Sequence, residues 1–318
     1  MRRRNRAGTY PLPAAACETT YARASPVARA FLCALFGAVP LAAPGPYVSG
    51  MRLRLCTWNV NSVRLRAEQV ARFVAEQAPD VVCLQEIKCR EGEFPREAFV
   101  EMGLPYLKIA GQKGWHGVAI ASRLPLEDAA PLDVCREGHA RCVGATVAGV
   151  EIHNFYIPAG GDTPDRQLNP KFDHKLDFYE KLTAELAKRD PAAPLAIVGD
   201  LNVAPGEFDV WNHRYMSKIV SHTPIEVAAM EALKASLGFI DLPRAQTPEP
   251  EKLASWWSYR AADFRQSNRG LRLDHILVTP GLREAAFPMG SAASRIHDDV
   301  RAWERPSDHA PVTADLLL

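Results

Sequence analysis

From Met51 to Leu318, short apolar runs with strand character follow one another, often with no helix between them. "LRLCTWN", "DVVCLQE", "WHGVAIAS", "RCVGATV", "HNFYIP", "PLAIVGDLN", "ASWWSY", "LRLDHILV" and "PVTADLL" all read this way. Helical spacing is confined to Arg64–Gln77, Lys171–Arg189 and Ile225–Leu237. A doubly wound parallel sheet needs a helical crossover after nearly every strand, whereas consecutive strands pair antiparallel. The pattern therefore predicts an α/β fold of two packed mixed sheets with outer helices, a four-layer α-β-β-α sandwich. At 318 residues and 47% hydrophobic, the chain can bury a core of that size. It carries no internal repeat and no GxGxxG fingerprint.

The first fifty residues differ in kind. They are rich in Ala, Pro and Arg, and hold six Arg against one acid, Glu18. Ala30 to Ala43 is an apolar run of 14, too short and too rich in Pro and Ala for a good membrane span. Basic residues before such a run resemble a signal or transit peptide. Met51, opening directly onto a strand pattern, favours instead an upstream mis-called start or a disordered tail. Residues 1–50 are therefore expected to lie outside the fold, and 51–318 to form a single domain. The last 268 residues carry a net charge of −4, so a polyanion site would need a local basic patch or a metal.

Seven cysteines, an odd number in a chain too large to need staples, imply reduced thiols and a cytoplasmic protein. Cys135, His139 and Cys142 have a zinc-like spacing but lack a fourth ligand at comparable spacing.

The chemistry is concentrated where strands end. "LCTWN" closes on Asn59, "VVCLQE" on Glu86, "HNFYIP" brings Tyr156, and "LAIVGDLN" closes on Asp200 and Asn202. "PSDHAP" adds Asp308 and His309. One polar strand end is only where a sheet meets water; several with the same residue types suggest one rim. Hard oxygen ligands without clustered thiols suit Mg²⁺, with Mn²⁺ as a substitute. Such a metal beside carboxylates, amides and an imidazole is equipment for hydrolysing a phosphoester. Two Asp-His pairs stand out. "PSDHAP" lies between prolines in a loop, where both side chains can converge. "LRLDHILV" is a strand, so Asp274 and His275 point to opposite faces and at most one can serve the rim.

These stretches, in this order and spacing, strongly resemble exodeoxyribonuclease III and the related AP endonucleases of the exonuclease–endonuclease–phosphatase superfamily. The resemblance covers essentially all of Met51 to Leu318, through "TWNVNSVRLR", "PDVVCLQEIK", "GQKGWHGVAI", "IVGDLNVAP", "SWWSYR", "NRGLRLDHIL" and "PSDHAP". "GDLN" and "SDH" indicate only the superfamily; "QEIK", "GQKG" and "NRGLRLD" are narrower.

The resemblance implies a Mg²⁺-dependent DNA repair nuclease that cuts 5′ to abasic sites and removes nucleotides or blocking groups from 3′ ends. Glu86 would bind the metal with Asp308 and Asn59 nearby, and Asp200 and Asn202 are further candidate ligands. Asp200 would orient or deprotonate the attacking water, and Asn202 and Tyr156 would hold the phosphate or the nucleophile. His309 would contact the scissile phosphate, with Asp274 orienting it from the other motif. Trp256, Leu271 and Leu273 would wall a pocket for the flipped baseless sugar. Arg64, Arg66, Lys88, Lys113, Arg260, Arg269 and Arg272 would contact double-stranded DNA. The protein is expected to act as a monomer, away from membranes, near the nucleoid.

The chain departs from relatives at Asn61, where some have Asp, and at Ser62, where Gly is common. Ala159 stands where a polar amide often occurs and His116 where an aromatic does. These flanking positions bear on the balance of activities. The competing readings are an RNA-directed exonuclease, a small-molecule phosphodiesterase and a non-catalytic DNA-damage binder.

Overall fold

The computed structural model describes residues 50–260, 263–288, 290 and 293–318. The atypical first segment, residues 1–49, lies outside the described residues. Among the described residues, twelve strands form two six-stranded mixed sheets. The first contains β1 (Arg52–Asn59), β2 (Val81–Gln85), β3 (Tyr106–Ala110), β4 (Val118–Ser122), β11 (Ala293–Ile296) and β12 (Val312–Leu317), in the order β11-β12-β1-β2-β4-β3. The second contains β5 (Glu127–Asp128), β6 (Cys142–Val147), β7 (Val150–Tyr156), β8 (Leu195–Asp200), β9 (Ile240–Asp241) and β10 (Asp274–Val278), in the order β5-β6-β7-β8-β10-β9.

Each sheet has one parallel pair at its middle, β1 with β2 and β7 with β8. Parallel neighbours require a crossover, and the two long helices supply it. Helix α1 (Val63–Gln77) joins the first pair and α2 (Pro170–Leu186) the second. A third helix, α3 (Pro224–Leu237), packs beside α2. Local chemistry fixes where they start and stop. Asn169 caps α2 by accepting from the Lys171 N–H, with Pro170 in the first turn. Glu226 accepts the Thr223 N–H at the start of α3, and Gly238 ends it at φ +66°.

Alternation along the strands makes the layers. Leu53 and Leu55 of β1, Val81 and Cys83 of β2, and Val118 and Ile120 of β4 face Ile152, Val198 and Ile276 of the other sheet. The intervening Cys56, Trp58, Val82 and Leu84 face α1 through Val70, Phe73 and Val74. On the far side Phe155, Leu195, Ile197 and Leu277 pack on Phe178 and Leu182 of α2 and on Met230 and Leu233 of α3. Full burial of each such side chain contributes about 1.5–3 kcal/mol relative to exposure. The outcome is the four-layer α/β sandwich expected from the strand pattern. Among the described residues, no helix is long and apolar enough to cross a membrane.

Some elements differ from the expected ones. "ASWWSY" is not a strand; Trp256 alone makes bridges, to Leu271 and His309. "LRLDHILV" becomes regular only from Asp274. The strand within "PLAIVGDLN" ends at Asp200. Gly199 cannot carry a side chain, because its Cβ would sit 2.0 Å from the Phe155 carbonyl oxygen.

Candidate active site

The carboxyl ends of β1, β2, β7 and β8 lie at one end of the sandwich. In register, Tyr156 pairs with Asp200 and Asp200 with Asp274, so three adjacent strands present these residues side by side. Asn59 joins the sheets there. Its Nδ2 donates to Glu86 Oε1 at 2.9 Å and to Asp200 Oδ2 of the opposite sheet at 2.9 Å. Asn154 adds a second polar brace between the sheets, donating to the Leu84 and Ala119 carbonyls at 2.9 Å each.

The two "DH" motifs meet across the gap. His309 Nδ1 lies 2.8 Å from Asp274 Oδ2, and His309 Nε2 lies 3.7 Å from Asp200 Oδ2. Burial opposes charge on the imidazole, but Asp274, Asp200 and Asp308 outweigh it and push His309 up to about 10. It is an imidazolium at neutral pH. Burial pushes Asp200 up, with Asp274 and Glu86 adding and His309 and Asn59 opposing, to about 7. Burial also works on Glu86 and Asp308, but neighbours outweigh it and both titrate below the usual carboxylate range. Lys88, at 2.8 Å, leads for Glu86, and His309 leads for Asp308, followed by Trp256 and Asn61. Burial first, then the Glu86 and Asp200 charges, keeps the Tyr156 phenol protonated. His275 points the other way, its Nε2 2.8 Å from the Val203 carbonyl and its Nδ1 3.0 Å from Arg272.

Further groups complete the site, among them Ser255 and Ser307, which the sequence did not single out. The Ser255 hydroxyl donates to Asp274 Oδ2 at 2.6 Å while accepting the Leu273 and Asp274 N–H groups. Ser307 Oγ donates to the Asn59 carbonyl at 2.6 Å. Asn61 Nδ2 donates to Asp308 Oδ1 at 3.1 Å, and its Oδ1 accepts from Lys88. Asn61 and Ser62 both have positive φ, +47° and +92°, so Ser62 occupies a conformation that favours glycine. The serine of "PSDH" was the readable signal for Ser307; Ser255 had none.

Asn202 follows Asp200 at φ +56° and donates Nδ2 to the Ile157 carbonyl at 2.9 Å. Its own carbonyl accepts from Lys175, which is buried against Glu226. Trp256 donates Nε1 to Asp308 Oδ2 at 3.0 Å. Leu271 and Leu273 pack beside it with Val210 and Met216.

The expected DNA contacts divide. Arg64, Lys113, Arg260 and Arg269 are exposed, and Lys88 is half-buried beside Glu86. Arg66 and Arg272 need correction. Arg66 is buried and donates to the carbonyls of Val60, Asn61 and Pro306. Arg272 is 1% exposed and forms two bonds to Asp209 and one to Asp241. Both guanidiniums are buried and engaged within the protein, Arg66 also with the Tyr259 hydroxyl.

Among the described residues, the one group of three ligand-type side chains whose donor atoms converge is Asp200, Asp274 and His309. His309, charged and facing a carboxylate from each nitrogen, is not a metal ligand in that state. The Cys135–His139–Cys142 spacing does not converge on a zinc site. Cys135 Sγ lies 3.5 Å from His174 Nε2, whereas His139 stacks on His116 at 4.4 Å.

Residues 56–309 match the model of the endonuclease/exonuclease/phosphatase family. The chain is 32% identical over 277 residues to exodeoxyribonuclease III of Haemophilus influenzae, covering 83% of this chain and 99% of the relative. An AP endonuclease structure from Archaeoglobus fulgidus superposes with a TM-score of 0.77 at 32% identity, covering 84% of this chain and all of that one. A Neisseria 3′ phosphatase bound to a product DNA hairpin superposes at 0.75 with 34% identity, over 83% and 99% of the two chains.

Proposed function

Because the chain belongs to the endonuclease/exonuclease/phosphatase family, we propose that it is a Mg²⁺-dependent nuclease that cuts duplex DNA 5′ to abasic sites and clears 3′ ends. It is a hydrolytic DNA phosphodiesterase of the exodeoxyribonuclease III and AP endonuclease group. The observation that carries the finer reading is the convergence of four carboxylates, from both sheets, on one buried imidazolium.

The donors fit a hard divalent cation: they are oxygens without a thiolate, and the Lys88 ammonium already sits against Glu86 where positive charge is needed. Glu86, Asp308 and Asn59 would hold the ion. When bound, Mg²⁺ or Mn²⁺ polarises the phosphoryl oxygen and offsets the charge that develops there. The protein supplies the rest. Asn59 fixes one oxygen of Asp200, leaving a carboxylate that titrates near 7 and can take a proton from the attacking water. Asp274 holds His309 charged and oriented, so that its Nε2–H can bond a phosphate oxygen. Tyr156, protonated, is a further donor to the phosphate. Asn202 braces the loop after β8. Trp256, Leu271 and Leu273 form an apolar wall for a sugar without a base. A monomer suffices, since every group named lies on one chain.

The test is a substrate panel with and without Mg²⁺: an abasic duplex, a duplex ending in 3′-phosphate, and single-stranded RNA. Metal-dependent incision of the abasic strand on its 5′ side, with slower or no RNA cleavage, is expected. Preferred RNA hydrolysis, or incision that survives chelation, overturns the reading.

A further inference from the structure

We infer that Trp211, Tyr215 and Arg269 form a shelf on which an unpaired nucleobase of the DNA stacks, outside the reaction centre; this rests on the reading of the site as a DNA nuclease. The rings of Trp211 and Tyr215 lie 5.3 Å apart, tilted by 42°. The guanidinium of Arg269 stands 5.0 Å over the Trp211 ring. Tyr215 is 55% exposed, on a single helical turn from His213 to Met216.

Three features point to a base. The shelf is continuous with the sugar pocket, because Trp211 packs on the same apolar cluster as Leu271, Leu273 and Trp256. Backbone bridges place the segments side by side: His309 beside Trp256, Trp256 beside Leu271, and Leu271 beside Val210, the neighbour of Trp211. At about 4.8 Å per lateral step, the shelf lies roughly 14 Å from His309. That is a distance of a few nucleotides along a strand whose phosphate occupies the centre. Finally, the ligand chemistry is flat and anionic. Exposed aromatic faces accept any base, and two cations attend them: Arg269 over the ring and Lys252, whose Nζ donates to the Trp211 carbonyl at 3.2 Å. Neither forms an ion pair among the described residues, so both charges are available to a phosphate backbone. A shelf of this kind favours substrates with a frayed or single-stranded stretch beside the cleavage point over fully stacked duplex.

The experiment uses the full chain under chelation, so that DNA is bound but not cut. A short labelled duplex with a single-stranded overhang is compared with probes in which one overhang base at a time is replaced by an abasic spacer. For the parent protein, Kd should rise at one spacer position and not at the others. Tyr215→Ala and Trp211→Leu should each weaken the intact probe by roughly tenfold, the loss of about one stacked base, and should erase the sensitivity to that spacer. Tyr215→Ala removes an exposed ring, so it reports on binding even if Trp211→Leu disturbs packing. Equal weakening of intact and spacer probes, or no weakening by Tyr215→Ala, overturns the shelf. Cleavage of an abasic duplex by the parent is measured alongside. A parent that cuts DNA but shows no position-specific coupling loses the shelf and keeps the nuclease assignment. A parent that shows the coupling but cuts no DNA keeps the shelf and loses the nuclease assignment.

Discussion

Two buried charge clusters diverge from adjacent residues of β10. Asp274 faces the rim, where Glu86, Asp200, Asp274 and Asp308 meet the cations Lys88 and His309. His275 faces the opposite way, toward Arg272, Arg244, Asp209 and Asp241. The second cluster is balanced, two carboxylates to two guanidiniums, and burial is offset pair by pair. The first is not: four acids face two cations. A buried network that serves only the fold should close its charge, because an uncompensated buried charge is expensive. The surplus at the rim is negative charge that the proposed cation would offset.

Breaking each cluster should therefore do opposite things. The largest effect is expected at the rim. Asp200→Asn should lower the turnover of an abasic duplex by about 10³-fold, the order of a lost general base. Because the change removes one of four crowded acids, the melting temperature should hold or rise. A fall in both activity and melting temperature would make Asp200 a structural residue. Chelation should abolish incision, and Mg²⁺ should raise the melting temperature of the parent but not of Glu86→Ala.

In the balanced cluster, Asp209→Ala leaves Arg244 without a carboxylate and Arg272 with Asp241 alone. It should cost about 3–5 kcal/mol of stability in urea unfolding, while the folded fraction keeps its turnover.

The strand alternation itself is tested by the neighbours on β10. Asp274→Ala should remove a charge-assisted hydrogen bond to His309, worth about 1.5–3 kcal/mol in transition-state stabilisation. His275→Leu should leave turnover intact and cost about 1–3 kcal/mol of stability by orphaning the Val203 carbonyl. The reverse ranking would mean the two faces had been exchanged.

The smallest effect is in the acid range. Arg272, joined by Arg244 at Asp209 and by His275 at Asp241, outweighs burial and holds both carboxyls far below the usual carboxylate range. Since their folded values lie below the unfolded value of about 3.9, their stabilisation is present above that pH and fades as pH falls further. The stability gap between parent and Asp209→Asn should hold from pH 7 to about 4 and narrow below it.

Much of the rim was legible because it obeys local rules. Strands ended in Asn59, Tyr156 and Asp200, with Glu86 directly after β2, and period-two alternation was enough to separate Asp274 from His275. The fates of Arg66 and Arg272 were not legible. Asp209 and Asp241 stand 63 and 31 residues from Arg272, and nothing near "LRLD" announces them. Ser255 was hidden because "ASWWSY" looks like a strand, whereas its serine hydroxyl replaces ladder bonds by accepting two backbone N–H groups. Edge strands β3 and β11 also escaped: the five residues of β3 are all half-buried, and β11 is only four residues long.

The Asn59 amide grips Glu86 in its own sheet and Asp200 in the other through one nitrogen. The rim therefore behaves as a vernier on the sandwich. A slip of either sheet by a fraction of an ångström changes the spacing between those two acids, although each sheet remains internally intact. Side chains far from the rim, such as Ile152 and Val198 in the layer between the sheets, thereby share in setting the catalytic geometry.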